Sequence, residues 1–86
     1  MTVIKDMVSY VTHALADHPN AIRLSETVTD DAVALELRVA PDDMGRIIGR
    51  RGRTINAVRD VARVLGGALD KKTDLELIEP PGRQRR

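Results

Sequence analysis

The apolar residues of this chain recur at two spacings, three or four residues apart in some segments and two apart in others. The longer steps place side chains on one stripe of a helix, whereas alternation places them on one face of a strand. Helical spacing begins at Val3 and continues to Leu15. We expect this helix to end near His18-Pro19, because the residue before a proline disfavours helical geometry.

Two alternating segments follow the first helix and predict a β-hairpin. Residues 22–29 alternate with a single interruption of the apolar side at Glu26, and residues 33–39 alternate more regularly. Asp30-Asp31 lies between them and favours a turn, so the two strands should pair antiparallel. Pro41 ends the second strand.

Helical spacing then returns on both sides of a glycine-containing turn. Asp42 and Asp43 precede a short apolar segment, residues 44–48, and carboxylates at such positions help to start a helix. A longer helix is predicted from Arg53, with Gly66-Gly67 as its stop.

A third strand is expected around Leu75 and Leu77, which alternate with acidic residues. The predicted order is helix, strand, strand, helix, turn, helix, strand. Three strands covered on one side by three helices make a two-layer α+β domain, which we assign to residues 1–79. Residues 80–86 are polar and basic, and we expect them to form a flexible tail.

Composition adds that this is one small domain with an aliphatic core. The chain has 86 residues, with one Tyr, no Phe, no Trp and no Cys. Disulfides and thiolate metal sites are therefore excluded, and the cytoplasm is the expected location. No segment resembles a membrane span or a signal peptide, so we expect neither secretion nor insertion.

Charge is divided unevenly between the two halves of the chain. Residues 1–43 carry three basic and eight acidic side chains, a net charge of −5, whereas residues 44–86 carry eleven basic and five acidic ones, a net charge of +6. The glycine turn lies in the most basic segment, which favours a polyanionic ligand there, although a solvated arginine face is the simpler alternative.

The turn itself places two glycines three residues apart around two arginines, Gly49-Arg50-Arg51-Gly52. Glycine permits positive φ and close approach of another chain. The arginines supply fixed positive charge, and a helix starting after Gly52 would direct its N-terminal end toward the same place. A phosphate of a nucleic-acid strand is the expected ligand.

With the strands and helices around it, this segment resembles the KH domain family of single-stranded nucleic-acid binders, whose GxxG loop clamps about four nucleotides. The predicted element order resembles the type II, bacterial form of that fold. More narrowly, the segment from Pro41 to Ile55 is similar to small bacterial single-domain KH proteins of the KhpA type.

The resemblance implies a set of RNA-binding residues on and around the turn. They are the clamp itself and its neighbours, namely Gly49, Arg50, Arg51, Gly52, Arg53, Arg46, Ile48 and Ile47. In KH domains the bases lie in a groove beside the turn, for which Ile47, Ile48, Ile55, Leu37 and Val39 are candidate walls. Plain core packing explains these five residues at least as well. Arg59 and Arg63 could border the groove or form an exposed helix face.

Other chemistries find little support in the sequence. Stacking of bases on aromatic rings cannot dominate, because Tyr10 is the single aromatic residue. His13 and His18 lack further ligands at a recognisable spacing, so a metal site is not expected. The serines and aspartates form no nucleophile and base arrangement, and we expect neither catalysis, a cofactor nor a small-molecule substrate.

The resulting hypothesis is a cytoplasmic RNA-binding protein, with single-stranded RNA as its partner. The family resemblance implies a post-transcriptional regulator or RNA chaperone that acts as a dimer, either with a copy of itself or with a larger KH-containing protein. The alternative is a protein-interaction adaptor whose helices dock such a partner, with RNA binding secondary. A DNA-binding helix-hairpin-helix is disfavoured by the surrounding strands.

Overall fold

A mixed three-stranded sheet forms one layer of the protein in a computed structural model that describes residues 2–79. Its strands are β1, Arg23–Val28; β2, Ala32–Arg38; and β3, Lys72–Leu77. The central strand β2 pairs antiparallel with β1 and parallel with β3. Because parallel neighbours cannot be joined by a tight turn, the chain between β2 and β3 crosses the sheet through two helices.

The second layer consists of three helices on one face of the sheet: α1, Val3–Leu15; α2, Met44–Ile48; and α3, Arg53–Ala68. Alternate residues of β2 are buried beneath them, and the residues between are exposed on the other face. The prediction of a two-layer α+β domain is confirmed. The predicted tail, residues 80–86, lies outside the described residues. None of the helices within residues 2–79 is long and apolar enough to cross a membrane.

The core is aliphatic, as the composition predicts. Its members come from all three helices and from the inner face of the sheet, and the buried apolar residues are Ile4, Val8, Ile22, Val33, Leu35, Leu37, Val39, Met44, Ile47, Ile55, Ala62 and Leu75. The hydrophobic effect from this shared cluster holds the two layers together.

The hairpin turn is confirmed at the predicted position. The Thr29 backbone N–H donates to the Ala32 carbonyl oxygen at 2.9 Å, closing the turn around Asp30 and Asp31. The Lys71 ammonium binds the carbonyl oxygens of Thr29 and Asp30 at 2.6 and 3.0 Å. The start of β3 is thereby tied to the hairpin.

Glu26, which interrupts the apolar side of β1, has a structural use. Both of its carboxylate oxygens lie 3.2 Å from the backbone nitrogen of Thr2, and the Thr2 hydroxyl also donates to the carboxylate. Thr2 in turn caps α1 by accepting a hydrogen bond from the Lys5 backbone N–H at 3.3 Å. The polar residue on the edge strand therefore anchors the start of α1.

The end of α1 differs from the prediction, because the helix stops at Leu15 rather than near Pro19. The next residues turn away to meet Asp43, whose carboxylate accepts hydrogen bonds from the backbone N–H groups of Asp17 at 3.0 Å and His18 at 2.9 Å. The expectation that the carboxylates of Asp42 and Asp43 help to start α2 does not hold for Asp43, since its side chain makes no capping bond to that helix.

Asp43 is fully buried, so its charge depends on these partners. Burial would raise the pKa of the carboxyl, but the two backbone donors and the His18 ring, 3.4 Å away, outweigh that effect and hold the pKa below its ordinary value. Asp43 thereby joins the segment after α1 to the start of α2, the short helix that leads into the glycine turn.

The predicted stop at Gly66-Gly67 is also wrong, because α3 continues through both glycines to Ala68. The chain turns away after the helix at Asp70, which takes a positive φ of 59°, and the Lys71 N–H closes back onto the Gly66 carbonyl oxygen at 2.9 Å. Gly66 serves close packing. A Cβ there would lie 2.9 Å from the Lys71 carbonyl oxygen and overlap the Thr73 side chain.

The two neighbouring glycines of α3 allow a matched test of this packing. We expect Gly66→Ala to lower the free energy of unfolding by about 1–3 kcal/mol, because the methyl group is forced against β3. Gly67→Ala is the control, since a Cβ there meets no atom within 4 Å. It should raise the stability by up to about 1 kcal/mol through helix propensity. Urea denaturation of both variants measures the difference, and equal effects of the two would contradict the role of Gly66.

The lowered pKa of Asp43 predicts a stability contribution that is present above the ordinary carboxyl pKa and is lost as pH falls through the lower pKa of the folded state. Asp43→Asn should therefore destabilise the protein most at about pH 7, and its deficit should shrink toward about pH 2. Asp42→Asn, at the exposed neighbouring position, is the control. Denaturation across this pH range checks the expectation, and a constant deficit for Asp43→Asn would rule it out.

Candidate nucleic-acid interface

The turn between α2 and α3 is built from backbone that favours glycine. Gly49 ends α2 with φ 78° and ψ 170°, and Gly52 precedes α3 with φ 76° and ψ 13°. Arg51 also takes a left-handed conformation, with φ 58°. This arginine conformation is uncommon and costs about 1–2 kcal/mol, so the surrounding structure must hold it in place.

The two glycines have different physical requirements. A Cβ on Gly49 would overlap the Thr54 side chain and lie 2.8 Å from the Thr54 backbone nitrogen. A Cβ on Gly52 would meet only the Asn56 amide nitrogen, at 3.5 Å. Gly49 is therefore needed both for its backbone angles and for the close contact between the two ends of the turn. Gly52 is needed for its angles alone.

Three arginines on and beside the turn carry charge that the fold does not neutralise. The side chains of Arg50, Arg51 and Arg53 are exposed, and within residues 2–79 none of them forms an ion pair or hydrogen bond. Arg46 differs, because its guanidinium lies 3.0 Å from a carboxylate oxygen of Asp17. The turn and its flanks thus present three cations without an acidic partner, whereas the charge of Arg46 is partly neutralised by Asp17.

The start of α3 adds to the positive potential at this place. Gly52 provides no side chain to cap the helix, and the Gly52 and Arg53 N–H groups bond within the turn to the carbonyl oxygens of Gly49 and Arg50. The 16-residue helix directs its positive dipole end at the arginines. The arrangement can hold an anion such as a phosphate group.

The predicted apolar walls lie mostly inside the core. Ile47 is 3% exposed, and the other buried residues of the set are Ile55, Leu37 and Val39. Ile48 is half-buried and packs on the edge of the core, so it is the one member of the predicted set with a side chain that reaches the surface beside the turn. Core packing therefore accounts for four of the five residues.

A polar groove of about 590 Å³ runs between α3 and β3, beginning one helical turn after Gly52. Its lining is Asn56, Arg59, Asp60, Arg63, Asp74, Leu75 and Glu76. Sequence reasoning placed Arg59 and Arg63 near a groove but missed Asn56, Asp74 and Glu76. Alternation places the Asp74 and Glu76 side chains on the sheet face away from the helices, and only the position of β3 at the sheet edge lets these residues line the groove.

The histidines lie away from this surface. His13 Nδ1 is 2.8 Å from the carbonyl oxygen of Ser9 in the preceding turn of α1, and His18 contacts Asp43. In the described part of the chain, no group of three or more histidine, cysteine, aspartate or glutamate side chains could hold a metal ion.

Comparison with known proteins identifies the fold. The family model described as KhpA/KhpB, KH domain, matches residues 5–77. RNA-binding protein KhpA of Halalkalibacterium halodurans is 37% identical to this chain over 76 residues, which are 88% of this chain and 100% of that protein. RNA-binding protein KhpA of Aquifex aeolicus is 33% identical over 79 residues, 92% of this chain and 100% of its own length.

A third relative, RNA-binding protein KhpA of Bacillus subtilis, is 34% identical over 76 residues, 88% of this chain and 94% of that protein. The family match and these relatives cover the sheet, the three helices and the turn. The resemblance inferred from the segment around the turn is confirmed, and the chain belongs to the KhpA/KhpB family of KH domains.

Proposed function

We propose that this protein holds single-stranded RNA by its sugar-phosphate backbone on the turn Gly49-Arg50-Arg51-Gly52. The observation that carries the proposal is the set of three exposed arginines, Arg50, Arg51 and Arg53, which have no acidic partner within residues 2–79. The names of the relatives, which are RNA-binding proteins, agree with this ligand. Cellular RNA is found in the cytoplasm, where the proposal places the protein.

The elements of the site divide the work of binding. Gly49 and Gly52 let a strand approach the backbone, and Arg50, Arg51 and Arg53 neutralise its phosphates. Such contacts position a strand without reading its sequence. Ile48 offers apolar surface beside the turn, whereas Ile47 acts from the core by holding α2 in place. Arg46 contributes less to phosphate binding than the other arginines because its guanidinium already forms an ion pair with Asp17.

A pair of identical subunits would bring two such turns to one RNA. We define the α3 stripe as Ala57, Val61, Val64 and Ala68, which are all exposed and are separated by four, three and four residues. This is the spacing at which two helices pack side by side, and the small residues at its ends permit close approach. Val61 is 47% exposed and Val64 73%, so the stripe has no cover within residues 2–79.

If a two-fold axis passed between Val61 and Val64, Val61 of one copy would contact Val64 of the second copy, and Val64 would contact Val61. Because one turn grips only about four nucleotides, pairing would raise affinity through two linked contacts. The same stripe is where a larger KH-containing partner would dock if the protein is instead an adaptor, with RNA binding secondary.

The first test reverses the charge of the turn. Arg50→Asp with Arg51→Asp should abolish retention of labelled RNA on a filter while circular dichroism shows a folded domain. For the unaltered protein, neutralising about three phosphates predicts a plot of log affinity against log salt with a slope of about −2. The double variant should show almost no slope.

The charge-matched control for this test is Arg23→Asp with Arg38→Asp. These residues pair across β1 and β2 on the exposed face of the sheet, opposite the helices that carry the turn. The control changes net charge equally and should weaken binding far less. If the turn variant and the control variant bound RNA with equal affinity, the proposed site would be refuted.

The second test concerns pairing. Val64→Asp places a charge in the middle of the α3 stripe and should convert dimers to monomers, as sedimentation across a dilution series would show. Thr27→Asp, on the exposed face of the sheet, is the control and should leave the dimer intact. A protein that is monomeric at every concentration before substitution would contradict self-pairing. A dimer unaffected by RNA, in a protein that holds RNA weakly, would favour the adaptor.

A further inference from the structure

A bidentate ion pair joins the helix that leads into the glycine turn to the segment that follows α1. Arg46, on α2, donates from Nη1 to Asp17 Oδ1 at 3.2 Å, and its Nη2 lies 3.0 Å from Asp17 Oδ2. Each terminal nitrogen thus has its own carboxylate oxygen. This is the geometry in which an arginine binds a carboxylate most strongly, and it is also the geometry in which an arginine binds a phosphate.

Asp17 is held in position by a carboxylate that is itself fully buried. α1 ends at Leu15, and the backbone N–H groups of Asp17 and His18 donate to the two oxygens of Asp43 at 3.0 and 2.9 Å. Asp43 directly precedes α2, the helix that carries Arg46. One buried side chain therefore positions the acidic partner relative to the helix of the basic partner.

Arg46 is held equally well at its backbone. Its neighbours Met44 and Ile47 are buried in the core at 2% and 3% exposure, which fixes the short helix α2. Because neither backbone has to be ordered, the pair costs less conformational freedom than a typical exposed ion pair. Both side chains are still more than half exposed, so a phosphate can reach the guanidinium.

The pair lies close to the place where a nucleic-acid backbone would be held. Arg46 precedes Gly49 by three residues, about 5 Å along the helix axis, and the Gly49 N–H donates to the Gly45 carbonyl oxygen at 2.9 Å. This separation is shorter than the screening length of about 8 Å at physiological salt. A phosphate on the turn therefore experiences the charge of Arg46, and also the opposite charge of Asp17.

We propose, as an extension of the proposed function, that Asp17 limits the affinity of the turn for RNA by competing with phosphate for Arg46. Asp17 belongs to the same folded chain, whereas a phosphate arrives with a flexible strand, so the carboxylate has the higher effective concentration beside the guanidinium. Three arginines then bind RNA while the fourth stays paired. Asp17 is an affinity-determining residue that acts through Arg46 and weakens the complex.

Asp17→Asn tests this competition, since it removes the carboxylate charge but keeps the side-chain size and the backbone N–H that donates to Asp43. A fluorescent uridine hexamer is titrated by anisotropy at several salt concentrations. Release of Arg46 to a fourth phosphate should steepen the slope of log affinity against log salt from about −2 to about −3. The added dependence, a power of about 0.7, corresponds to about fivefold tighter binding at about 0.1 M salt.

A matched control removes a carboxylate from an equivalent pair elsewhere. Glu36 lies 3.8 Å from Arg38, and both side chains are about as exposed as those of Asp17 and Arg46. They lie on the sheet face opposite the helices. Glu36→Gln changes the net charge by the same amount as Asp17→Asn and releases an arginine there. It should change the affinity for the hexamer by less than about twofold, because distant charges are screened.

A second control asks whether the gain depends on Arg46. When Asp17→Asn is made together with Arg46→Gln, no cation is released, and the salt slope should stay at about −2. Circular dichroism of each variant verifies that the domain is folded. A steeper slope that persists without the arginine would overturn the inference, as would an equal gain in affinity from Glu36→Gln.

The remaining outcomes separate this inference from the proposed function. Weaker binding by Asp17→Asn would mean that Asp17 orients Arg46 toward RNA, which contradicts competition. Unchanged binding by Asp17→Asn, with binding still abolished by the substitutions at Arg50 and Arg51, would overturn the competition and leave the RNA site standing. Binding that is indifferent to Arg50 and Arg51 would overturn the proposed site and, with it, the role of Asp17.

Discussion

The close contact between Gly49 and Thr54 is the constraint on which the site depends. The chain leaves α2 and enters α3 within a few residues, and the two ends of the turn meet where Gly49 has no Cβ. The positive φ of Gly49, Arg51 and Gly52 follows from that tight reversal. The reversal places two arginines at its tip and brings the uncapped start of α3 beside them. Charge and backbone geometry at the turn thus have a common origin.

Electrostatics then sorts what can approach each part of the surface. The turn concentrates cations without partners, whereas the groove beside it has an excess of carboxylates. Contacts within the fold satisfy only some of the charged side chains. Asp17 pairs with Arg46, and Asp43 accepts hydrogen bonds from backbone N–H groups. The surface therefore attracts anions at the turn and repels them from the neighbouring groove.

Much of the architecture was predictable because the patterns are local. Alternation identified the hairpin, helical spacing identified α1 and α3, and the glycine turn was found directly. The errors came from long-range contacts. The end of α1 depends on Asp43, 25 or more residues away, and the end of α3 depends on Asp70 rather than on Gly66-Gly67. The acidic residues of the groove were missed because strand pairing, which no local pattern specifies, places β3 at the sheet edge beside α3.

The parallel pairing of β2 with β3 has a consequence for synthesis of the protein. Everything between residues 38 and 72, including the turn, lies within one crossover whose closing partner is the last strand of the sheet. Non-local pairings of this kind form only after their distant segment is present. A nascent chain therefore cannot complete the sheet, or fix the two helices on either side of the turn, until β3, Lys72–Leu77, has been synthesised.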